Sequence, residues 1–215
     1  MAKRAQGIRR AHVAVGIIGI AAVVLFGVLI AAGAVPDPNA LDAGWAGIAA
    51  AMRSPETLAV ALGLNVLGRG VVASLIVPVV LVVVLLVARR PVAAGALVIA
   101  VASTWALTRV VKSVVARDRP SDILVESDVG SFPSGHASNA AALVTVFVLV
   151  FRSLVVRIVA VLYLVAMMWS RTLLSAHWAT DVIGGALLGA GIAVVVVALV
   201  RPLRRRELER SSSRG

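Results

Sequence analysis

The sequence predicts an all-α, polytopic membrane protein, a bundle of six transmembrane helices with both termini in the cytoplasm. Three observations predict it. The chain of 215 residues is 60% hydrophobic and 14% charged, where soluble domains run at roughly 45–50% and about 25%, and its mean hydropathy is +1.02. Apolar runs approaching the ~20 residues that a spanning helix needs recur six times, near 12–34, 69–88, 92–111, 137–151, 154–170 and 182–200. Finally, the basic residues fall on alternate connections. With the N-terminus inside, residues 1–11, Arg89-Arg90, Arg152 to Arg157 and the tail from Arg201 hold fourteen Lys and Arg against two acids, net +12, while the other side carries −1. Cytoplasmic retention of Lys and Arg sets that orientation.

Such composition excludes disorder. The 21 basic residues are scattered between apolar runs rather than gathered on a soluble face, so no nucleic acid is expected as partner. The absence of cysteine removes disulfide and thiolate chemistry.

Taken in order, residues 1–11 form a basic cytoplasmic segment, 12–200 a single membrane domain, and 201–215 a basic tail expected to be disordered. The first apolar run exceeds the 7–15 residues of a signal-peptide core, so an uncleaved anchor is expected despite the small residues at 31–35. In the outer segment 35–68, Pro36, Asp37, Pro38 and Asn39 form turns. Ser54-Pro55-Glu56 then supplies an N-cap, a proline at the first helical position and an acid in the first turn, predicting an interfacial helix that leads into the second span. Pro78, inside that span, calls for a kink whose freed carbonyl is satisfied by neighbours. Gly185, Gly189 and Ala193 form a stripe of small residues expected to pack the sixth span on the fifth.

Ionisable residues at the ends of spans are costly and mark functional sites by default. Three clusters fall on the predicted outer side. Lys112-x6-Arg119-Pro120 closes the third span; its cations are either interfacial anchors that snorkel to headgroups or ligands of an anion, with Arg109 and Arg117 the stronger candidates for anchors. Pro133-Ser134-Gly135-His136 precedes the fourth span; it is either a capped helix start or an anion site built from backbone N–H groups. Ser170-Arg171-x5-His177-x3-Asp181 joins the fifth and sixth spans. Asp181 lies four residues after His177 and reaches the ring either along a helix or across a turn capped by Thr180, a contact that fixes the tautomer and supports an imidazolium. Three cations on one face repel unless an anion lies between them, and a phosphoryl group fits that role. The acids Asp118, Asp122, Glu126 and Asp128 match neither an EF-hand nor a two-metal site, so neither metal nor cofactor is expected. Trp105, Phe132, Trp169 and Trp178 gather at the same ends, as an aromatic belt or, for Trp178, as a gate for lipid.

Together these motifs resemble the three signatures of the type 2 phosphatidic acid phosphatase superfamily, in order and with every motif position filled over residues 112–181. The resemblance implies His177 as a nucleophile that forms a phosphohistidine, Asp181 as its orienting base and His136 as general acid. It further implies that Lys112, Arg119, Ser134, Gly135 and Arg171 hold the phosphoryl oxygens, with no metal. The substrate it implies is a membrane lipid phosphate at the extracytoplasmic face of the plasma membrane: a polyprenyl diphosphate, as for undecaprenyl-diphosphate phosphatases, phosphatidic acid or phosphatidylglycerol phosphate. The vanadium haloperoxidases share this anion pocket but are mainly soluble. A phosphate-binding membrane scaffold or transporter without hydrolysis is the non-enzymatic alternative. The sequence leaves the oligomeric state open.

Overall fold

The structure, a computed structural model, describes residues 2–212 and is all-helical, with no strand among those residues. Its helices are α1 (Ala2–Ala31), α2 (Ala40–Ala51), α3 (Pro55–Leu67), α4 (Val77–Val87), α5 (Pro91–Val115), α6 (Gly135–Val150), α7 (Leu154–Leu173) and α8 (Ala179–Ser212). Gln6–Ala31, Pro91–Val115, Leu154–Leu173 and Ala179–Leu203 are each long and apolar enough to cross a membrane. Val15, Leu25, Val98, Val155 and Leu162 are exposed on their outer faces, where lipid tails are as apolar as the side chains they meet. The chain is a membrane protein.

The second expected span, 69–88, is not one straight helix. Residues Val72–Ile76 form a π-helical turn ahead of α4, and α3 is bent by 58° from the segment that follows it. Pro78 is the cause. Lacking an N–H it cannot close on the carbonyl one turn back, and the ladder slips to the wider π spacing, with the Val77 N–H bonding the Val72 carbonyl. The helix α6, with 16 residues, is about 24 Å long, short of a hydrocarbon core of about 30 Å. By length and composition the structure therefore gives four spans, or five with the bent pair counted as one, against the six expected.

The segment 35–68 holds two helices rather than one. The Asn39 side chain caps α2, which the sequence reading did not anticipate, and Ser54 caps α3 in a reciprocal box with Thr57. The basic N-terminal segment belongs to α1 from Ala2 onward. At the other end α8 runs through Ser212, so the expected disordered tail is helical that far; Leu203 to Arg210 is rich in the helix formers Leu, Arg and Glu. Met1 and residues 213–215 lie outside the described residues.

The central helix is α8, packed on α6, α1 and α5 and scarcely touching α7. The small-residue stripe thus serves a different neighbour from the one expected. A Cβ on Gly185 would stand 2.5 Å from the Ser134 carbonyl oxygen, and one on Gly189 1.9 Å from that of Ser138, so these glycines seat α8 on α6. On another face, a Cβ on Gly16 would meet the Gly191 carbonyl at 2.6 Å, which marks the close crossing of α1 and α8. The main core between these helices includes Val23, Leu97, Val146 and Leu188.

Candidate active site

Four helix ends converge at one end of the bundle. At the first, α5 stops because Ala116 adopts the left-handed conformation (φ 46°, ψ 33°) while its N–H bonds the Lys112 carbonyl. This leaves Lys112 in the last turn of α5, longer than the expected span, and turns Arg117 and Arg119 inward. The Lys112 ammonium is buried; it donates to the Gly130 carbonyl at 2.7 Å and lies 3.5 Å from an Asp128 carboxylate oxygen. Arg119 uses the same two residues, donating from Nη2 to Gly130 O at 2.8 Å and to Asp128 Oδ1 at 2.9 Å, and it also donates to the Ala176 carbonyl. Gly130 has φ 74°, and a Cβ there would approach the Lys112 carbonyl to 3.1 Å, so the loop that returns toward α6 needs glycine at this point.

Ser134 caps α6, its hydroxyl accepting from the Ala137 N–H at 3.4 Å, while its own N–H donates to the Asp181 carbonyl at 2.9 Å. Gly135 is the first helical residue and His136 the second. His136 Nε2 lies 3.4 Å from the Asn65 carbonyl, and the ring packs so tightly over Gly68 that a Cβ there would fall 2.1 Å from Cδ2. Arg171, in the last turn of α7, is 2% exposed; its Nη1 donates to Asn65 Oδ1 at 2.5 Å.

His177, 4% exposed, sits on the short link between α7 and α8. Its Nε2 lies 3.3 Å from Arg119 Nη1. Its Nδ1 lies 3.5 Å from Asp181 Oδ2, within ion-pair range but too long for a hydrogen bond, and it has no hydrogen-bond partner. Burial, followed by the charges of Lys112, Arg171 and Arg119, holds the His177 imidazole well below its ordinary value. His136 is within electrostatic reach of Arg171, His177 and Lys112. The three sequence clusters, 112–119, 133–136 and 170–181, therefore do meet around one histidine.

Three expectations require correction. Arg117, read as an interfacial anchor, is 3% exposed and is the hub of a buried ionic network. It donates to Asp181 Oδ1 at 2.6 Å, to Asp42 Oδ2 at 2.7 Å, to Asp37 Oδ1 at 2.5 Å and to Thr180 Oγ1 at 2.8 Å. Burial opposes its charge, but Asp37, Asp181 and Asp42 outweigh it and hold the guanidinium above its ordinary value. Thr180 is not a cap. It is the second residue of α8, with its N–H and hydroxyl both donated to Asp42 at 2.8 Å. Phe132 belongs to no belt; it is fully buried against Gly27 and Gly184, in edge contact with Phe26. Trp105 is exposed, and the Trp178 indole is tied to the Asp118 carbonyl at 2.9 Å.

Sequence reading also missed Asp37, Asp42 and Asn65. The available signal was a second arginine two residues before Arg119 together with two acids in the 35–42 turn, an unbalanced charge set on one side of the membrane. The remaining loop acids do not gather. Asp122 pairs with Arg53 and Glu126 with Arg69, each at 2.8 Å, and the Leu124 N–H bonds the Leu174 carbonyl at 3.0 Å. No group of His, Asp and Glu among the described residues could hold a metal ion.

Fold and site together define a helical membrane protein in which a buried histidine and carboxylate are ringed by Lys112, Arg119 and Arg171. The profile of the PAP2 superfamily matches residues 93–205, and the chain belongs to that superfamily. Among solved structures it is similar to a transmembrane PAP2-type phosphatidylglycerolphosphate phosphatase from Bacillus subtilis, with 25% identity, 85% of this chain and 96% of that chain covered, and a TM-score of 0.66. It shares its fold with LpxE of Aquifex aeolicus, at 22% identity, covering 76% of this chain and 98% of that chain with a TM-score of 0.68. No curated protein matches the chain.

Proposed function

We propose that this protein is a lipid phosphatase that hydrolyses a phosphomonoester or diphosphate of a membrane lipid through a phosphohistidine on His177. The observation that carries the reading is a buried histidine whose Nε2 faces Arg119 and whose Nδ1 faces Asp181, with Lys112 and Arg171 near enough for their charges to act on the ring. His177 below its ordinary pKa is neutral at physiological pH, with a proton on Nδ1 and a lone pair on Nε2. That lone pair attacks phosphorus, the P–O bond to the lipid breaks, and His136 protonates the departing oxygen. Lys112, Arg119, Arg171, the Ser134 hydroxyl and the Gly135 N–H at the start of α6 take the phosphoryl oxygens as negative charge builds. Asp181 closes from 3.5 Å onto the Nδ1 proton as the ring becomes cationic. A water activated by His136 then breaks the P–N bond and releases inorganic phosphate. Arg117 touches no reacting atom in this scheme; it fixes Asp181 from behind.

In the proposed topology six segments span the plasma membrane, α3–α4 counting as one and α6 as a short one. Both termini are cytoplasmic, so the pocket opens at the outer headgroup level, where a lipid phosphate lies. The similarity to a phosphatidylglycerolphosphate phosphatase supports a lipid substrate.

The test is phosphate release by detergent-purified protein in EDTA, with phosphatidic acid, phosphatidylglycerol phosphate, farnesyl diphosphate and a long polyprenyl diphosphate compared, alongside His177→Ala. We expect release from at least one lipid and its loss in the variant. Folded protein with no release from any of them would sink the reading and favour a phosphate-binding scaffold or transporter.

A further inference from the structure

The end of the bundle away from His177 holds a second feature that the phosphatase reading does not use. α1 and α8 touch at Gly16 and Gly191 and diverge beyond that crossing. The turn between α6 and α7 forms a third wall, and the three enclose a cavity of about 740 Å³. Its depth is apolar, formed by Leu149, Val194, Val197 and Ala198, and its rim carries Arg9, His12, Arg152, Arg157 and Arg201. No acid lines it. Since α6 runs about 24 Å from Gly135 at the catalytic pocket to Val150 at this cavity, the two sites are separate.

The charges at the two ends are managed differently. Around His177, Arg53, Arg69, Arg117 and Arg119 each pair with a carboxylate. None of the five rim residues of the far cavity forms an ion pair among the described residues; the Arg157 Nε bonds only the Phe151 carbonyl, at 3.1 Å, which holds the turn. Four guanidinium groups around one concavity repel one another unless an anion lies among them. A free phosphate would meet that charge but leave the apolar depth unmatched, and a cavity in the range of about 300–1,000 Å³ holds a far larger ligand. Basic pockets between transmembrane helices on the cytoplasmic side bind anionic headgroups for this reason.

We propose that this cavity is a binding site for an anionic glycerophospholipid of the bilayer, its phosphate held by Arg9, Arg152 and Arg201 and the start of an acyl chain laid along Val194, Val197 and Ala198. The site is distinct from the substrate pocket, and its existence does not depend on hydrolysis at His177.

The test uses the full chain in detergent, with orthovanadate saturating the catalytic pocket, and phosphatidylglycerol carrying a photoreactive acyl chain. Crosslinks are expected in the peptides around Leu149 and Val194–Ala198. Labelling should fall at least about tenfold in the triple variant Arg9→Gln, Arg152→Gln, Arg201→Gln and survive in the corresponding triple lysine variant. Both variants should retain phosphate release on a soluble substrate, because none of the three residues approaches the catalytic pocket. Equal labelling by a photoreactive phosphatidylcholine, or undiminished labelling of the glutamine variant, would overturn the proposal. So would protection against thermal unfolding by inorganic phosphate with none by phosphatidylglycerol, which would reassign the rim to a free anion.

Discussion

Asp181 divides its two oxygens between separate tasks. Oδ1 takes Arg117 at 2.6 Å, while Oδ2 takes the Trp178 N–H at 2.9 Å and faces His177 at 3.5 Å. A lysine at 117 would supply a point charge but not a fork that spans Asp37, Asp42 and Asp181 together. Arg117→Lys should therefore lower kcat by on the order of 10- to 100-fold, or roughly 1.4–2.8 kcal/mol, with KM within about twofold. A KM rise at unchanged kcat in steady-state assays would instead make Arg117 a phosphate ligand. The depressed His177 pKa has a signed consequence as well. Because the nucleophile is the neutral ring, the acid limb of kcat/KM should lie below pH ~6.5, the unperturbed imidazole value. A bound phosphate dianion offsets Lys112, Arg171 and Arg119, so the limb seen in kcat should lie at higher pH than that in kcat/KM. A pH–rate series between 4 and 9 checks both. The same shift makes folding less favourable as pH falls below ~6.5, since the unfolded chain takes up a proton there that the buried ring refuses.

At the scale of elements, the contact between α6 and α8 decides whether the pocket exists. His136 and Ser134 ride on α6, and Asp181 opens α8, so the spacing between the two helices sets the distance across the site. A Cβ on Gly189 would fall 1.9 Å from the Ser138 carbonyl, and neither backbone can yield without moving its helix. Gly189→Ala should cost about 1–3 kcal/mol by overpacking and remove most activity. Gly95→Ala on α5, where a Cβ meets nothing within 4 Å, should leave activity unchanged and gain up to about 1 kcal/mol from helix propensity. Thermal unfolding in detergent, read beside phosphate release, compares them. Equal melting of Gly189→Ala and the parent would contradict the close approach. The broken second span follows the same logic: Pro78 shifts the hydrogen-bond ladder to the π-turn at Val72–Ile76, while α3 runs back along α7 and brings Asn65 to Arg171 and His136.

For the whole molecule, charge and burial are segregated by end. Near His177, Arg53, Arg69, Lys112, Arg117 and Arg119 are paired with carboxylates, and Lys112, Arg117 and Arg171 are buried. The described cations at the opposite end are instead partly or fully exposed and accompanied by few acids, the pattern that orients a chain in the membrane. The absence of native cysteine makes the topology directly measurable. Val129→Cys, at a position 84% exposed in the loop beside the pocket, should react with an impermeant maleimide on intact cells. Ser211→Cys should react only after permeabilisation. The reverse pattern would place the pocket in the cytoplasm.

Much of this was legible in the chain. Helicity and membrane residence follow from apolar content, the capped start of α3 from Ser54-Pro55-Glu56, and the meeting of Lys112, His136 and His177 from motifs that resemble a known family. These are local or compositional signals, and local physics suffices to read them. What only the tertiary structure decided are the choices of partner. Arg117 looked like an anchor because its three carboxylates come from residues 37, 42 and 181, up to 80 positions away. The glycines of α8 specified a close neighbour but could not name α6 over α7. Phe132 could not be told from a belt aromatic until Gly27 and Gly184 were seen beneath it. A sequence states which groups need a partner, since burial of charge, small residues and helix ends each impose one. Which segment supplies it depends on chain paths that residues distant in sequence settle together.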